Sequence, residues 1–296
     1  MSNHIVNFTA HYSRGTGELH KDDRNEYRDR FNCKPNCSTQ DGGPPYFSAI
    51  IFITSIVFYC MYNVGVDSAS QVSVNLINSP WIYKADLVCG GNEVWRYFTY
   101  SFLHADFAHI FSNMLIFLLV CPMLELAHDS IRPALIYIVG VVLGSTLAGI
   151  WSPNNYLVGA SGGVYAVVVA HLANIILNCG EMDKAWLSVR AVILAPLLGA
   201  AFFDVYKAYV RYFLEQDDVM GGVSYAAHVG GTLTGLFFGV FILRNYESHV
   251  WEKFLRWIFL ILYALFWVYA SGKTVMLMND EICPQQGLVP QDLKQD

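Results

Sequence analysis

The chain has 296 residues, of which 54% are hydrophobic and only 14% are charged, and its mean hydropathy is +0.36. Soluble domains carry about 25% charged residues, so this composition excludes an ordinary soluble protein and indicates a polytopic protein of the lipid bilayer. The net charge of −6 argues against nucleic acid as a partner.

Residues 1–45 are polar and of mixed charge, and the sequence GGPP closes them off. This composition predicts a mostly disordered tail, and no apolar stretch typical of a signal peptide lies near Met1. Cys33 and Cys37 are spaced like half of a zinc site but lack a partner pair, so we expect no metal there. The seven cysteines are odd in number and scattered, which argues against a disulfide framework.

Seven stretches approach or reach the length of about 20 apolar helical residues that a bilayer crossing requires. They are predicted at 46–66, about 108–127, 131–150, 161–177, about 191–210, 225–243, and 258–278 or slightly earlier. The sequence therefore predicts an all-α membrane protein with a bundle of seven transmembrane helices. The loop at 67–107 is rich in aromatic residues and poor in charge, which predicts that it is partly embedded at the membrane interface.

Lys and Arg residues predict the orientation, because they favour the cytosolic side of a membrane. If the N-terminus is cytosolic, 12 of the 18 basic residues lie on that side: Arg14, Lys21, Arg24, Arg28, Arg30, Lys34, Arg132, Lys184, Arg190, Arg244, Lys253 and Arg256. We therefore expect a cytosolic N-terminus and a lumenal or extracellular C-terminus. Glycosylation sequons at Asn7 and Asn36 are at odds with this orientation, although such sequons are common by chance.

Polar residues cluster where the second, fourth and sixth predicted spans begin, and in this orientation all three starts lie on the lumenal side. These residues are His104, His109, Asn113, Ser161 and His228. Ionisable groups at membrane depth are costly and by default indicate function. The sequence therefore predicts a functional site formed at this end by helices that are far apart along the chain.

Ser161 lies in a G-x-S-x-G frame, which also marks the nucleophile of many soluble hydrolases. A serine hydroxyl needs a neighbouring base, and the neutral imidazole of His228 suits that role near pH 7. No acidic residue is predicted at the same depth, so the sequence favours a dyad over a triad. Asp204 and Lys207, three residues apart on the fifth span, are expected to pair and to have a structural role.

Further residues are predicted to support this chemistry. Tyr165 lies one helical turn after Ser161 and on the same face, where it could pack on His228. Attack on a carbonyl creates an oxyanion that needs preset donors. His109 and Asn113 share a helix face and can both donate, and the backbone N–H of Ser161 near a helix N-terminus is a third donor.

Small residues recur at every fourth position on the fourth and sixth predicted spans: Gly162, Ala166 and Ala170, and Gly231, Gly235 and Gly239. This spacing lets two helices approach closely. If the two stripes face each other, Ser161 and His228 come within reach. The alternative is that the stripes, and Ser161 with them, serve helix packing alone.

Other interpretations are weaker. His104, His109 and His228 could bind a metal, but none lies in an H-E-x-x-H frame, and we expect neither metal nor cofactor. A transporter or channel is disfavoured because the chain has no internal repeat. Glu125 and Arg132 bracket the turn after the second span and are expected to form a cytosolic ion pair.

In combination, these motifs resemble those of rhomboid intramembrane serine proteases. The matching residues are H-A-x-x-x-x-H-x-x-x-N from His104 to Asn113, G-A-S-G from Gly159 to Gly162, A-H-V-G-G from Ala227 to Gly231 with Gly235 after it, and Trp95-Arg96. The resemblance implies a six-helix catalytic core at 46–243, an added seventh helix within 244–278 and a short tail at 279–296. A helix added after the core is similar to the animal secretase-type subfamily.

The resemblance also implies roles for individual residues. Ser161 would be the nucleophile, His228 the base, and Asn113, His109 and the Ser161 amide the oxyanion donors. Tyr165 would stack on His228. The further supporting positions would be His104, Gly159, Gly231, Gly235 and, as a structural pair in the first loop, Trp95 and Arg96.

The function implied by the resemblance is cleavage of single-span membrane proteins near their lumenal ends, without a cofactor. Growth-factor precursors of the epidermal-growth-factor type are the expected substrates, and the Golgi, elsewhere in the secretory pathway, or the plasma membrane is the expected location. The alternative is a catalytically silent rhomboid-like protein that escorts membrane clients. The intact pair Ser161 and His228 argues against that alternative.

Overall fold

A computed structural model describes residues 44–65, 74–91, 93–180, 182, 184–210, 212, 224–246, 249–279 and 283. Within them, seven helices are long and apolar enough to cross a membrane, which confirms the predicted all-α multi-pass architecture. We number them α1 to α7: Tyr46–Asn63, Phe107–His128, Ile131–Trp151, Ser161–Asn178, Lys184–Tyr209, Tyr225–Ile242 and Val250–Leu277. The predicted tail at 1–45 lies almost wholly outside the described residues, and so does most of 279–296. The division into a core and an added helix stays a prediction.

The seventh helix begins at Val250, well before the predicted start at 258. Its first turn is stabilised by Glu252, whose carboxylate accepts the backbone N–H of His249 at 2.7 Å and the amide of Asn245 at 2.8 Å. Such a cap satisfies backbone donors that a helix N-terminus otherwise leaves free. The apolar stretch from which the span was predicted ends at the charged residues of this turn, whereas the helix includes them.

The centre of the bundle is α4, of which 72% is buried inside the protein, compared with 61% of α3 and 11% of both α5 and α7. A helix that is apolar on all sides is expected to be buried. The central position of α4 means that its first residue, Ser161, is surrounded by other helices rather than by lipid alone.

The small residues of α4 and α6 face each other, as their spacing predicts. A Cβ atom built on Gly231 would overlap the carbonyl oxygen of Gly162, and one built on Gly235 would overlap that of Ala166. Glycine is therefore required at both positions of α6, because any side chain would push the two helices apart. This close contact brings the first turns of α4 and α6 together.

At the end of the bundle opposite Ser161, the expected ion pair between Glu125 and Arg132 is wrong. Glu125 accepts the backbone N–H groups of Phe47 at 3.0 Å and Ser48 at 2.8 Å, at the start of α1. Pro45 precedes α1 and provides no side-chain cap, so the carboxylate satisfies amides that the helix leaves free. Arg132 instead pairs with Asp129.

The loop between α1 and α2 contains a 3-10 helix at Ala85–Gly91 and one helical turn at Arg96–Thr99. Arg96 is buried, and its Nη1 donates to the carbonyls of Ser79 at 3.1 Å and Ile82 at 2.7 Å. The guanidinium therefore holds successive turns of the loop together.

A disulfide joins Cys89 of this loop to Cys283, beyond the end of α7. The expectation that the cysteines form no disulfide framework is thus wrong for this pair. The two residues are 194 positions apart, and only the packing of the helices brings them together.

Candidate active site

Ser161 is the first residue of α4, and the backbone before it is held by the loop between α1 and α2. Leu157 forms an antiparallel bridge with Tyr83, and the N–H of Gly159 donates to the carbonyl of Tyr100 at 3.2 Å. No side chain caps α4, whose N-cap residue is Ala160. The free amides of the first turn therefore point toward the surroundings of Ser161, where they favour negative charge.

Gly159 has a φ of +111°, a conformation that residues with a side chain rarely adopt. A Cβ at this position would lie 2.6 Å from Nε2 of His109 and 2.7 Å from its Cε1. The imidazole of His109 is thus in close contact with the backbone that leads into Ser161.

His109 lies in the first turn of α2, where its backbone N–H donates to Asp106 at 2.8 Å in an N-cap. The amide of Asn113, one turn later, donates to the carbonyl of His109 at 2.9 Å. An Asn amide carries two hydrogens, so one donor of Asn113 remains in addition to this bond. The role of both residues as oxyanion donors stays a prediction.

His104 lies behind His109, with the ring centroids 5.1 Å apart and the planes at 71°. It is fully buried, and its Nδ1 is 3.3 Å from the carbonyl of Phe102. Burial holds the pKa of His104 well below its ordinary value, which keeps the ring neutral. This geometry suits a residue that packs against the ring of His109 and holds it in place.

His228 lies in the first turn of α6, which begins after the N-cap Ser224. The ring of Tyr165, one turn into α4, stacks on the imidazole with a centroid distance of 4.1 Å and an angle of 12° between the planes. Tyr225 meets the same imidazole edge-on at 6.3 Å. The stacking expected from the sequence is therefore present, and it places His228 beside the helix face that Ser161 and Tyr165 share.

An acidic residue that the sequence analysis assigned elsewhere also contacts this histidine. Oδ2 of Asp204 lies 2.7 Å from Nδ1 of His228, and the same oxygen accepts the hydroxyl of Tyr165. The expected pair with Lys207 is wrong, because the ammonium of Lys207 lies 5.3 Å from the ring centre of Phe203 instead.

The expectation that no acidic residue lies level with His228 is therefore also wrong. Asp204 is near the end of α5 and His228 near the beginning of α6, so consecutive antiparallel helices place them at the same height. A charge inside a membrane helix is a signal of function in the sequence, but Glu125 carries the same signal and caps α1, so this signal alone does not single out Asp204.

The hydroxyl of Ser161 and Nε2 of His228 form no hydrogen bond with any residue that the structure describes. Catalytic hydrogen bonds are often long in free enzymes and tighten when substrate binds. In the same described residues, no group of three His, Cys, Asp or Glu side chains is placed to hold a metal ion. The arrangement can support proton transfer by an imidazole that stacks on Tyr165, one turn after the serine on the same helix.

The remaining predicted residues support the surroundings of the site. Trp95 donates its indole N–H to the carbonyl of Pro80 at 3.0 Å, and Arg96 bonds the same loop, which carries Tyr100 against Gly159. Gly231 provides the close contact between α4 and α6 one turn after His228.

Comparison with known proteins agrees with these features. The Rhomboid domain model matches residues 91–245. The chain is 37% identical over 230 residues to Rhomboid-related protein 1 of Caenorhabditis elegans, which covers 75% of this chain and 62% of that protein. It is 34% identical over 251 residues to Rhomboid-related protein 3 of Homo sapiens. This alignment covers 84% of this chain and 59% of that protein.

A third relative carries a different description. Inactive rhomboid-related protein 2 of Caenorhabditis elegans is 30% identical over 240 residues, which covers 80% of this chain and 63% of that protein. The chain thus spans about three fifths of the length of all three relatives.

Proposed function

The chain belongs to the rhomboid family, whose domain model matches more than half of it, and from this premise we propose that it is an intramembrane serine protease. Ser161 is the nucleophile and His228 the base. The observation that carries this proposal is the stack of Tyr165 on His228 at 4.1 Å across the contact between α4 and α6. It keeps the imidazole beside the start of α4, where Ser161 lies.

The reaction follows from these positions. His228 takes the proton of the Ser161 hydroxyl at Nε2 while the oxygen attacks the substrate carbonyl, and the ring then returns the proton to the leaving amine. The Ser161 amide, His109 and Asn113 donate to the oxyanion of the tetrahedral intermediate. A water molecule activated by His228 releases the acyl group. No cofactor enters this sequence.

The substrates we propose are single-span membrane proteins, cut near the end of the span that lies level with Ser161. A helical segment hides its carbonyls in internal hydrogen bonds, so the scissile bond must first leave the helix. Substrates with Gly or Pro near the cut and a small residue before it are therefore preferred. Growth-factor precursors of the epidermal-growth-factor type fit this description, and the seventh helix after the core is typical of the secretase-type subfamily.

The orientation we propose places the N-terminus in the cytosol and the site on the lumenal or extracellular side, in the secretory pathway or at the plasma membrane. The distribution of Lys and Arg supports it. The disulfide between Cys89 and Cys283 supports it independently, because disulfides form and persist in oxidising compartments. Both cysteines lie at the end of the bundle that carries Ser161.

The proposal is tested by co-expressing tagged growth-factor-type precursors with the wild-type chain, with Ser161→Ala, and with the matched control Ser188→Ala. Ser188 is an exposed serine of α5 whose hydroxyl bonds only its own helix. We expect release of the ectodomain by wild type and control, and none by Ser161→Ala. Equal release by all three, or no release from any of several precursors, would reject the protease and favour the silent escort protein.

A further inference from the structure

Asp204 makes two hydrogen bonds with one oxygen atom, and both partners belong to the proposed site. Oδ2 accepts from the hydroxyl of Tyr165 and lies 2.7 Å from Nδ1 of His228. The imidazole is therefore held on its face by the ring of Tyr165 and at its edge by the carboxylate. The side chain of His228 is 7% exposed and that of Asp204 is 16% exposed, so water competes little for the contact between them.

We infer that Asp204 is a positioning residue for His228. The site would then depend on Asp204 as well as on Ser161 and His228. The inference rests on the proposed protease function. An ionised carboxylate can only accept hydrogen bonds, so the nitrogen that it contacts must carry the hydrogen. This leaves Nε2 of the neutral ring with a free lone pair, which is the form that can take the proton of Ser161.

The carboxylate also affects the charged form of the base. When His228 takes the proton of Ser161, the ring becomes positive while Asp204 stays negative at its other nitrogen, and a charge-assisted hydrogen bond results. The other titratable groups that face this ring are Tyr165 from α4, Tyr225 from its own helix and His109 from α2. Asp204 is the one carboxylate among these described neighbours.

A competing explanation is that Asp204 only attaches α5 to the bundle. Among the described side chains of α5, the buried hydrophobic ones are only Leu194, Ala201 and Ala208, so a polar attachment would be useful. The variant Asp204→Asn distinguishes the two explanations. An amide oxygen can accept from both Tyr165 and His228 and preserve an attachment, but it carries no charge and its NH₂ group can stabilise the wrong tautomer of the ring.

The experiment uses the full chain in detergent and a fluorophosphonate probe, because this probe reports the reactivity of Ser161 without a particular protein substrate. Oγ of Ser161 attacks the phosphorus, fluoride leaves, and His228 takes the hydroxyl proton. The rate constant kinact and the binding constant KI are measured at one pH for wild type, Asp204→Asn, Asp204→Glu and the control Lys207→Gln. Lys207 lies on the same helix as Asp204 and contacts Phe203. Thermal unfolding of each variant checks that it is folded.

For Asp204→Asn we expect kinact to fall about a hundredfold while KI changes by less than about threefold, since proton transfer and not probe binding is impaired. Asp204→Glu should recover most of kinact, because it restores a carboxylate that can accept from Nδ1 of His228. Lys207→Gln should match wild type.

The inference is overturned if Asp204→Asn keeps the wild-type kinact, which would assign Asp204 to attachment of α5. It is also overturned if Asp204→Asn is folded and slow but Asp204→Glu restores nothing. Both outcomes leave the protease proposal intact. That proposal fails separately if wild type and Ser161→Ala react with the probe at the same rate.

Discussion

At the end of the bundle opposite Ser161, the carboxylate of Glu125 accepts two backbone N–H groups and the hydroxyls of Ser48 and Ser130. At the other end, the Ser161 hydroxyl and Nε2 of His228 have no hydrogen-bond partner among the described residues. Both ends bury polar groups at membrane depth. Both oxygens of the Glu125 carboxylate have partners, whereas these two atoms of the proposed site are unbonded in the described structure.

Two buried histidines show the same contrast. Nε2 of His128 is 3.0 Å from the Asn174 side chain, and its Nδ1 accepts the backbone N–H of Arg244 at 3.1 Å. His228 is bonded at Nδ1 alone, by Asp204. A buried polar group with every position bonded stabilises the fold, whereas an unbonded basic nitrogen beside a serine is available for proton transfer. His128 and His228 are both buried, so the number of bonded nitrogens distinguishes these two residues and burial does not.

The largest effect on the labelling rate is expected from removing Nε2 of His228. His228→Ala should lower the rate of fluorophosphonate labelling of Ser161 by about a thousandfold or more, because the serine loses its base. His128→Ala is the matched change at the opposite end, and its folded fraction should label at the wild-type rate. Labelling of His228→Ala within tenfold of wild type would contradict the contrast between the two histidines.

A substitution at the end of the bundle opposite Ser161 should lower the stability of the protein. Glu125→Ala leaves the N–H groups of Phe47 and Ser48 without their acceptor, so the free energy of unfolding should fall by about 3 kcal/mol. Ser161→Ala should change it by less than about 0.5 kcal/mol, since its hydroxyl makes no bond in the described structure. Chemical unfolding in mixed micelles measures both values. Equal stability of the two variants would remove the distinction between the ends.

The contact between α4 and α6 should be sensitive to one methyl group. Gly231→Ala should destabilise the protein by about 1–3 kcal/mol and slow labelling of Ser161, because its Cβ overlaps the Gly162 carbonyl oxygen. Gly272→Ala on α7 is the control, since nothing lies within 4 Å of its Cβ position. The same unfolding and labelling assays apply. An equal response of both glycines would show that the contact does not position the site.

The smallest effect is expected from the disulfide, which is at the end that carries Ser161. Cys283→Ser should change gel mobility under non-reducing conditions and lower the free energy of unfolding by about 1 kcal/mol. This value is modest because the membrane-inserted helices already restrict the unfolded chain. Cys89→Ser should behave identically and the double variant should add nothing, whereas Cys179→Ser, a free exposed cysteine, should match wild type. Additive losses would mean that the two cysteines act separately.

The sequence was sufficient for those features that depend on neighbours along the chain. Hydropathy located all seven spans. The largest errors in boundaries are the starts of α5, which begins at Lys184 and not at 191, and of α7, which begins at Val250, where Glu252 caps a charged first turn. The spacing of Gly231 and Gly235 predicted the face that meets α4. Tyr165 could be placed on the same face as Ser161 because both belong to one helix.

By itself, then, the sequence determined the seven-helix class, the family and the residues from which a serine and histidine site is proposed, because hydropathy, helical period and motif are properties of short stretches. Only the tertiary structure decided that Asp204 contacts His228, that Glu125 caps α1 rather than pairing with Arg132, and that Cys89 bonds Cys283. The physical reason is that each of these contacts joins different helices or loops. Which side chains meet depends on how the helices pack and at what depth each one lies, and no local pattern encodes that.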